Sequence, residues 1–147
     1  MTHGSHKKSI WTSFAGAVAA MAISAFAGCG ESAPELIPVT GKVTLDGKAA
    51  QEGGVVFHAG MKQFLGSIQA DGAYSMISAS TREPGVPLGK YKATVFVTST
   101  PKDADGKPTD LPTTISNRKY MNVASTPLEV EVVETPTAGA YDLAVTK

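Results

Sequence analysis

Residues 38–48 read PVTGKVTLDGK, and the pattern of this stretch predicts an all-β fold. Apolar side chains alternate with polar ones from Val39 to Leu45, and Gly41 occupies one of the apolar positions. A period of two is typical of a β-strand with one buried face. Asp46-Gly47 follows at once and favours a tight hairpin turn, because glycine readily takes the positive φ that such turns need.

Six further segments continue this pattern, and most are separated by turn residues such as Asp71-Gly72. No stretch after Gly30 has a helical period, and residues 116–123 fit either a turn or a short extended piece. Seven short strands predict an antiparallel β-sandwich of about 100 residues. The six segments are residues 55–57, 64–68, 74–77, 91–98, 128–133 and 141–145.

The N-terminus has the pattern of a secretory signal. Lys7 and Lys8 precede an uncharged stretch, residues 10–27, in which seven of the 18 residues are alanine. A retained membrane anchor is the alternative, but 18 residues barely cross a hydrocarbon core of about 30 Å, and alanine is a weak driver of insertion. The sequence therefore favours a cleaved signal.

The apolar stretch ends in Phe26-Ala27-Gly28-Cys29, which resembles the lipobox of bacterial lipoproteins, usually Leu-Ala-Gly-Cys. The resemblance implies that the Cys29 sulfur receives a diacylglyceryl group and that a peptidase cuts before Cys29. The alternative, a buried free cysteine, is disfavoured because Cys29 lies between the apolar stretch and a polar linker. Gly30 stands where an inner-membrane retention signal would place Asp, so the resemblance implies the outer membrane of the cell envelope.

These features divide the chain into three segments: a lipoprotein signal peptide at 1–28, a linker at 29–37 and a β-domain at 38–147. The expected partner of Cys29 is a membrane, since two or more acyl chains bind stably.

The 147 residues carry 13 basic and 13 acidic side chains, so no nucleic-acid partner is expected. The single cysteine excludes an internal disulfide and a zinc site of cysteine pairs.

Several stretches of the β-domain, taken in order with the lipobox, resemble a family of bacterial lipoproteins that carry a carboxypeptidase-regulatory-like domain of the transthyretin-like type. The resemblance implies a seven-stranded prealbumin-like sandwich with no established chemistry. The matching positions all have the character of turn or core residues. The stretches are PVTGKVTLDGKAAQEGGVVFHA, IQADGAYSM, VPLGKYKATV, KYMNVASTPLEVEV and YDLAV, and the matching positions are Gly41, Val43, Leu45, Asp46, Gly47, Lys48, Gly72, Gly89, Tyr91, Tyr120 and Leu128.

Candidate catalytic and metal-binding residues are few. His58 is the only histidine after residue 28 and is expected on the solvent side of its strand, so it provides neither a zinc site nor a histidine-based triad. Transthyretin-like hydrolases use several histidines and a Tyr-Arg-Gly-Ser tail, which this chain lacks. Asp103, Asp105 and Asp110 invite a calcium hypothesis, but their spacing does not fit an EF-hand and favours a solvated turn.

The expected function is that of a non-catalytic envelope lipoprotein whose β-domain is an interaction or structural module, with no cofactor. The alternative is an accessory module that binds a glycan or a peptide. Residues 99–114, a long polar loop with three prolines, are the best candidate for contact with a protein partner. A glycan platform is less favoured, because tryptophan is absent after residue 28 and only Tyr120 is expected to be exposed. Exposed sheet edges leave self-association and strand addition open.

Overall fold

The computed structural model describes residues 34–147. These residues form eleven β-strands and one 3₁₀ helix, Arg118–Met121, so the domain is all-β as predicted. The predicted signal peptide and the predicted lipidation site, Cys29, lie outside the described residues. The strands are β1 Leu36–Ile37, β2 Thr40–Leu45, β3 Lys48–Ala49, β4 Gly53–Ala59, β5 Lys62–Ile68, β6 Ala73–Ser78, β7 Val86–Pro87, β8 Gly89–Ser99, β9 Thr113–Thr114, β10 Glu129–Val132 and β11 Leu143–Val145.

Each of the seven strands that the alternating pattern predicts is present, as β2, β4, β5, β6, β8, β10 and β11. The four additional strands, β1, β3, β7 and β9, have two residues each and are too short to show a period. Strand β1 lies within the predicted linker and pairs with β7, which joins Leu36–Ile37 to the folded domain. The paired part of the domain therefore begins two residues before the predicted boundary at Pro38.

Nine strands form one curled sheet in the order β10-β8-β4-β5-β6-β2-β11, with β3 beside β2 and β9 beside β8. All pairs are antiparallel except β2–β11, in which Leu143 lies opposite Val43 in a parallel ladder. The expectation of a wholly antiparallel arrangement is therefore wrong at this pair. Parallel neighbours need a long crossover, and here the intervening domain itself makes that connection.

The concave face of the sheet holds the core. Phe57 is fully buried between Tyr91, whose ring is stacked at 6.0 Å, and Tyr74, whose ring approaches edge-on at 6.5 Å. Phe64 packs edge-on against Tyr91 at 5.7 Å. The predicted inward positions of β2 and β8 are buried, so the alternation in the sequence did identify the core face.

The turn at Asp46-Gly47 forms as predicted and joins β2 to β3. Both residues have positive φ, 50° and 79°, which matches the backbone of a type I′ hairpin turn. At the other end of β2, Gly41 lies against the backbone carbonyl of Tyr141 and the ring of Tyr74. The Tyr74 hydroxyl donates a hydrogen bond to that carbonyl oxygen at 2.5 Å, so a residue without a side chain is required here.

Tyr120, expected to be exposed, is only 5% exposed. The 3₁₀ helix that carries it packs on β8, and its hydroxyl lies 3.4 Å from Oγ1 of Thr146. The expectation failed because the short helix has no period to reveal its buried side. Asn117 begins the helix by accepting a hydrogen bond from the Lys119 amide, and its own amide donates to the Thr146 carbonyl.

Candidate functional site

The strands place the loops of the domain at two ends. The proximal end is defined by the β4–β5 turn at Gly60-Met61 and by the β1–β7 ladder, where the described chain begins at Pro34. The distal end is defined by the Asp46-Gly47 turn and by the loop of residues 99–114. Strand β8 runs from the proximal to the distal end, because it starts directly after β7 and leads into this loop.

An open groove of about 900 Å³ lies at the distal end. The β2–β3 turn, the connection between β3 and β4 (residues 50–52) and the end of β8 form its sides, and Val97 and Ile115 are among its apolar lining residues. The loop of residues 99–114 contributes Lys102 and Pro108. The groove therefore joins the predicted contact loop to segments that are distant in the sequence.

The charged side chains of this distal groove have both signs. Lys48, Lys102 and Lys147 line it together with Asp46 and Glu52. The Glu52 carboxylate accepts a hydrogen bond from the Thr100 hydroxyl at 2.8 Å, and the Asp46 carboxylate accepts one from the Lys147 amide at 3.3 Å. A mixed-charge lining above an apolar floor suits a protein or peptide surface better than a polyanion such as nucleic acid.

The loop of residues 99–114 is folded on itself rather than extended. Asp103 organises it: its Oδ1 accepts hydrogen bonds from the amides of Asp105 at 3.0 Å and Lys107 at 2.8 Å. Lys102 and Pro108 form an antiparallel bridge that closes this turn. The side chains of residues 101–114 are exposed, including Leu111 at 79%. The loop thus presents an apolar side chain on a framework held by its own backbone.

The three aspartates of the calcium hypothesis do not converge. Asp103 uses its Oδ1 for the turn, and Oδ1 of Asp110 accepts a hydrogen bond from the Leu111 amide. Over residues 34–147, no three His, Cys, Asp or Glu side chains lie close enough together to hold a metal ion. The carboxylates of this loop have a structural role in turn formation.

His58 lies on the convex face of the sheet, as the alternation with Phe57 predicts, but it is half-buried rather than simply exposed. Its Nε2 is 2.8 Å from Oγ1 of Thr94, a hydroxyl on the neighbouring strand β8 that is itself buried. In the described residues, Nδ1 of His58 makes no hydrogen bond, so the pair lacks the third group that orients a catalytic base. The contact is best explained as a cross-strand pair.

Acidification is expected to destabilise the domain through His58. Burial lowers the pKa of His58 from its ordinary value of 6.5, so below that value the folded protein binds fewer protons than the unfolded chain. The free energy of unfolding should therefore fall as the pH drops from neutrality through 6.5 towards the lowered pKa. Urea unfolding at about pH 7.5 and about pH 5.5 measures this decrease.

The matched control is His58→Gln, because glutamine can keep a hydrogen bond to Thr94 and does not titrate. The variant should show a smaller loss of stability between the two pH values. An equal loss in the wild type and in His58→Gln would show that other groups cause the pH dependence.

None of the protein-family models, curated proteins or solved structures compared with the chain matches it. In the part of the chain that the structure describes, no helix has the length and apolar character needed to span a membrane. Sequence reasoning identified the loop of residues 99–114 but missed the distal groove, because its walls come together only in the folded sheet. Asp46 and Lys147 illustrate this: they are 101 positions apart and share a hydrogen bond.

Proposed function

We propose that this protein is a non-catalytic lipoprotein of the cell envelope whose β-domain presents an interaction surface away from the membrane. The lipobox at Cys29 supports the anchor, and Gly30 favours the outer membrane as its location. The observation that supports the proposal is the placement of Pro34, the first described residue, and the loop of residues 99–114 at opposite ends of the domain. The distal groove then faces away from the lipid and is accessible to a partner.

The length of β8 sets the scale of this separation. Its eleven residues, at about 3.3 Å each, extend over roughly 35 Å from the proximal to the distal end. A partner that contacts Leu111 and the distal groove therefore meets the domain far from its point of attachment. Polar rims around an apolar centre are typical of protein interaction surfaces.

We also propose that the all-β domain is a transthyretin-like sandwich, the fold that the family resemblance implies. The curl of the sheet supports it, since the two terminal strands β10 and β11 are brought near one another. Tyr141 contributes to this closure: its hydroxyl lies 3.3 Å from the amide and 3.4 Å from the carbonyl of Val133, directly after β10. Such a contact joins the two borders of the sheet across the core.

A photo-crosslinking amino acid at position 111 tests the interaction surface in isolated, opened cell envelopes, which admit added protein. Leu111 is exposed and makes no contribution to the core, so the replacement should leave the fold unchanged. We expect a discrete adduct of higher mass, which excess purified β-domain should compete away. A β-domain in which residues 103–107 are replaced by two glycines should compete at least tenfold less well, about 1.4 kcal/mol of lost binding.

Leu65 provides the matched control position, because it is an exposed leucine on the convex face of β5 and away from the distal groove. The same crosslinker at position 65 should give no discrete adduct. The proposal is overturned if position 111 gives no adduct, or if the two positions give the same one.

The alternative, an accessory module for a glycan or a peptide, is favoured in its peptide form by the mixed charges of the distal groove. Sugar-binding surfaces rely on exposed aromatic rings. Tyr120 is buried, and among the described residues Phe96, at 39%, is the only exposed aromatic side chain. Strand addition at β10 is disfavoured, since Glu129 and Glu131 pair with Lys92 and Lys90 along that border. A peptide panel and a glycan array on the purified domain distinguish these cases.

A further inference from the structure

The proximal end carries exposed apolar side chains that the interaction surface does not explain. A groove of about 540 Å³ at this end is lined by apolar residues that include Pro34, Leu36 and Met61, and by one charged residue of each sign, Lys62 and Glu83. Met61 projects from the tip of the β4–β5 turn and is 102% exposed, so it makes no contribution to the core. Leu88, next to the groove residue Pro87, is 48% exposed.

The tip that carries Met61 is a tight turn. Gly60 has a φ of 59°, and the two flanking residues, Ala59 and Lys62, pair across the ladder. Met61 therefore lies at the tip of a tight hairpin, with its side chain in solvent. Lys62 follows it directly, so an apolar tip is bordered by a cation. An apolar side chain beside a cation suits a lipid headgroup layer, because the apolar group can enter the boundary while the cation meets phosphate.

The length of chain before the described residues limits where this end lies. Pro34 is five residues after Cys29, and five extended residues span at most about 18 Å. This reach is about half of the roughly 35 Å over which β8 extends. A domain held at Cys29 therefore cannot stand inverted on its distal end, whereas its proximal end is always within reach of the membrane.

We propose that the proximal end docks on the lipid surface that holds the acyl chains of Cys29, with Met61 inserted at the boundary between headgroups and chains. This inference rests on the proposed lipid anchor. Lys62 meets the phosphate layer, and Leu36 lies against the same surface. The acyl chains on Cys29 and the inserted Met61 side chain then attach the domain to the membrane at two points. Two points of attachment fix the orientation of the domain, so the distal groove faces away from the membrane.

The test uses the mature lipidated protein, purified from bacterial membranes. Trp11 is removed with the signal peptide, so a tryptophan introduced into the β-domain is the only one in the mature chain. Met61→Trp reports the proximal tip, and Leu111→Trp is the matched control at another exposed apolar position, at the distal end. Both proteins are reconstituted in phospholipid vesicles whose acyl chains are brominated near the headgroups. Bromine quenches only a tryptophan that lies within the bilayer boundary, a depth of about 5–10 Å.

We expect brominated vesicles to reduce the emission of the Met61→Trp protein about twofold relative to unbrominated ones. The emission of the Leu111→Trp protein should not change. Docking of the proximal end is refuted in two cases in which the protein floats with the vesicles. In the first, both tryptophans are quenched to the same extent; in the second, neither tryptophan is quenched. Failure to float would instead refute the anchor, and the docking with it, so the two failures are distinguishable.

Discussion

Replacing Cys29 with serine is expected to abolish lipid labelling of the protein completely. Serine has no sulfur to receive the diacylglyceryl group, and the chain offers no second cysteine. Each buried CH₂ contributes about 0.8 kcal/mol, so loss of two or three acyl chains removes the whole of the stable attachment. Incorporation of an alkyne-bearing fatty acid, read by gel fluorescence, measures the effect as presence or absence of signal.

Thiol counting provides an independent control for the same change. In the wild type the Cys29 sulfur is expected to be blocked by a thioether, so the denatured protein should not react with a maleimide. Adding Thr137→Cys, at an exposed position, should give one reactive thiol, whether or not Cys29 is replaced. Two reactive thiols in the Thr137→Cys protein would mean that Cys29 is unmodified and that the anchor proposal is wrong.

Gly41→Ala is expected to lower the free energy of unfolding by about 3–5 kcal/mol. A Cβ atom at this position overlaps the Tyr141 carbonyl oxygen and comes within 2.9 Å of the Tyr74 ring. Relief of the overlap must separate β2 from the chain that leads into β11. That movement also breaks the hydrogen bond from the buried Tyr74 hydroxyl and leaves a polar group without its partner. Urea unfolding of residues 30–147 at neutral pH measures the loss.

Gly47→Ala is the matched control, because the same methyl group there meets nothing within 4 Å. Its cost comes only from the positive φ of 79° and should be about 1–2 kcal/mol. If Gly41→Ala proves no more destabilising than Gly47→Ala, the close approach of β2 to Tyr141 is not a determinant of stability. A variant of Gly41 that retains wild-type stability would contradict the structure at this position.

The sequence predicted the fold class and seven strands because those strands have one buried and one solvated face. Such strands leave a period of two in the sequence, and the Asp46-Gly47 and Asp71-Gly72 turns mark two of their ends. Gly72 has a backbone φ of 83°, the positive value that a tight turn needs, which confirms the second of these turns. Local chemistry thus determines which segments are extended and which face of each is buried.

The remaining features depend on contacts between distant segments and leave no local signal. The parallel ladder of Val43 with Leu143 and the burial of Tyr120 under its short helix are two examples. For the candidate site, length and composition predicted the loop of residues 99–114. The distal groove was not predictable, because Glu52 and Lys147 converge on that loop only when the sheet curls.

The parallel ladder between β2 and β11 has a consequence for biogenesis. Leu143 is made 100 residues after Val43, its partner. At about 5–20 residues per second, roughly 5–20 seconds of synthesis separate the two strands. Throughout that interval the edge of β2 that pairs with β11 has no partner strand, so this side of the sheet closes only after the last strand has been made.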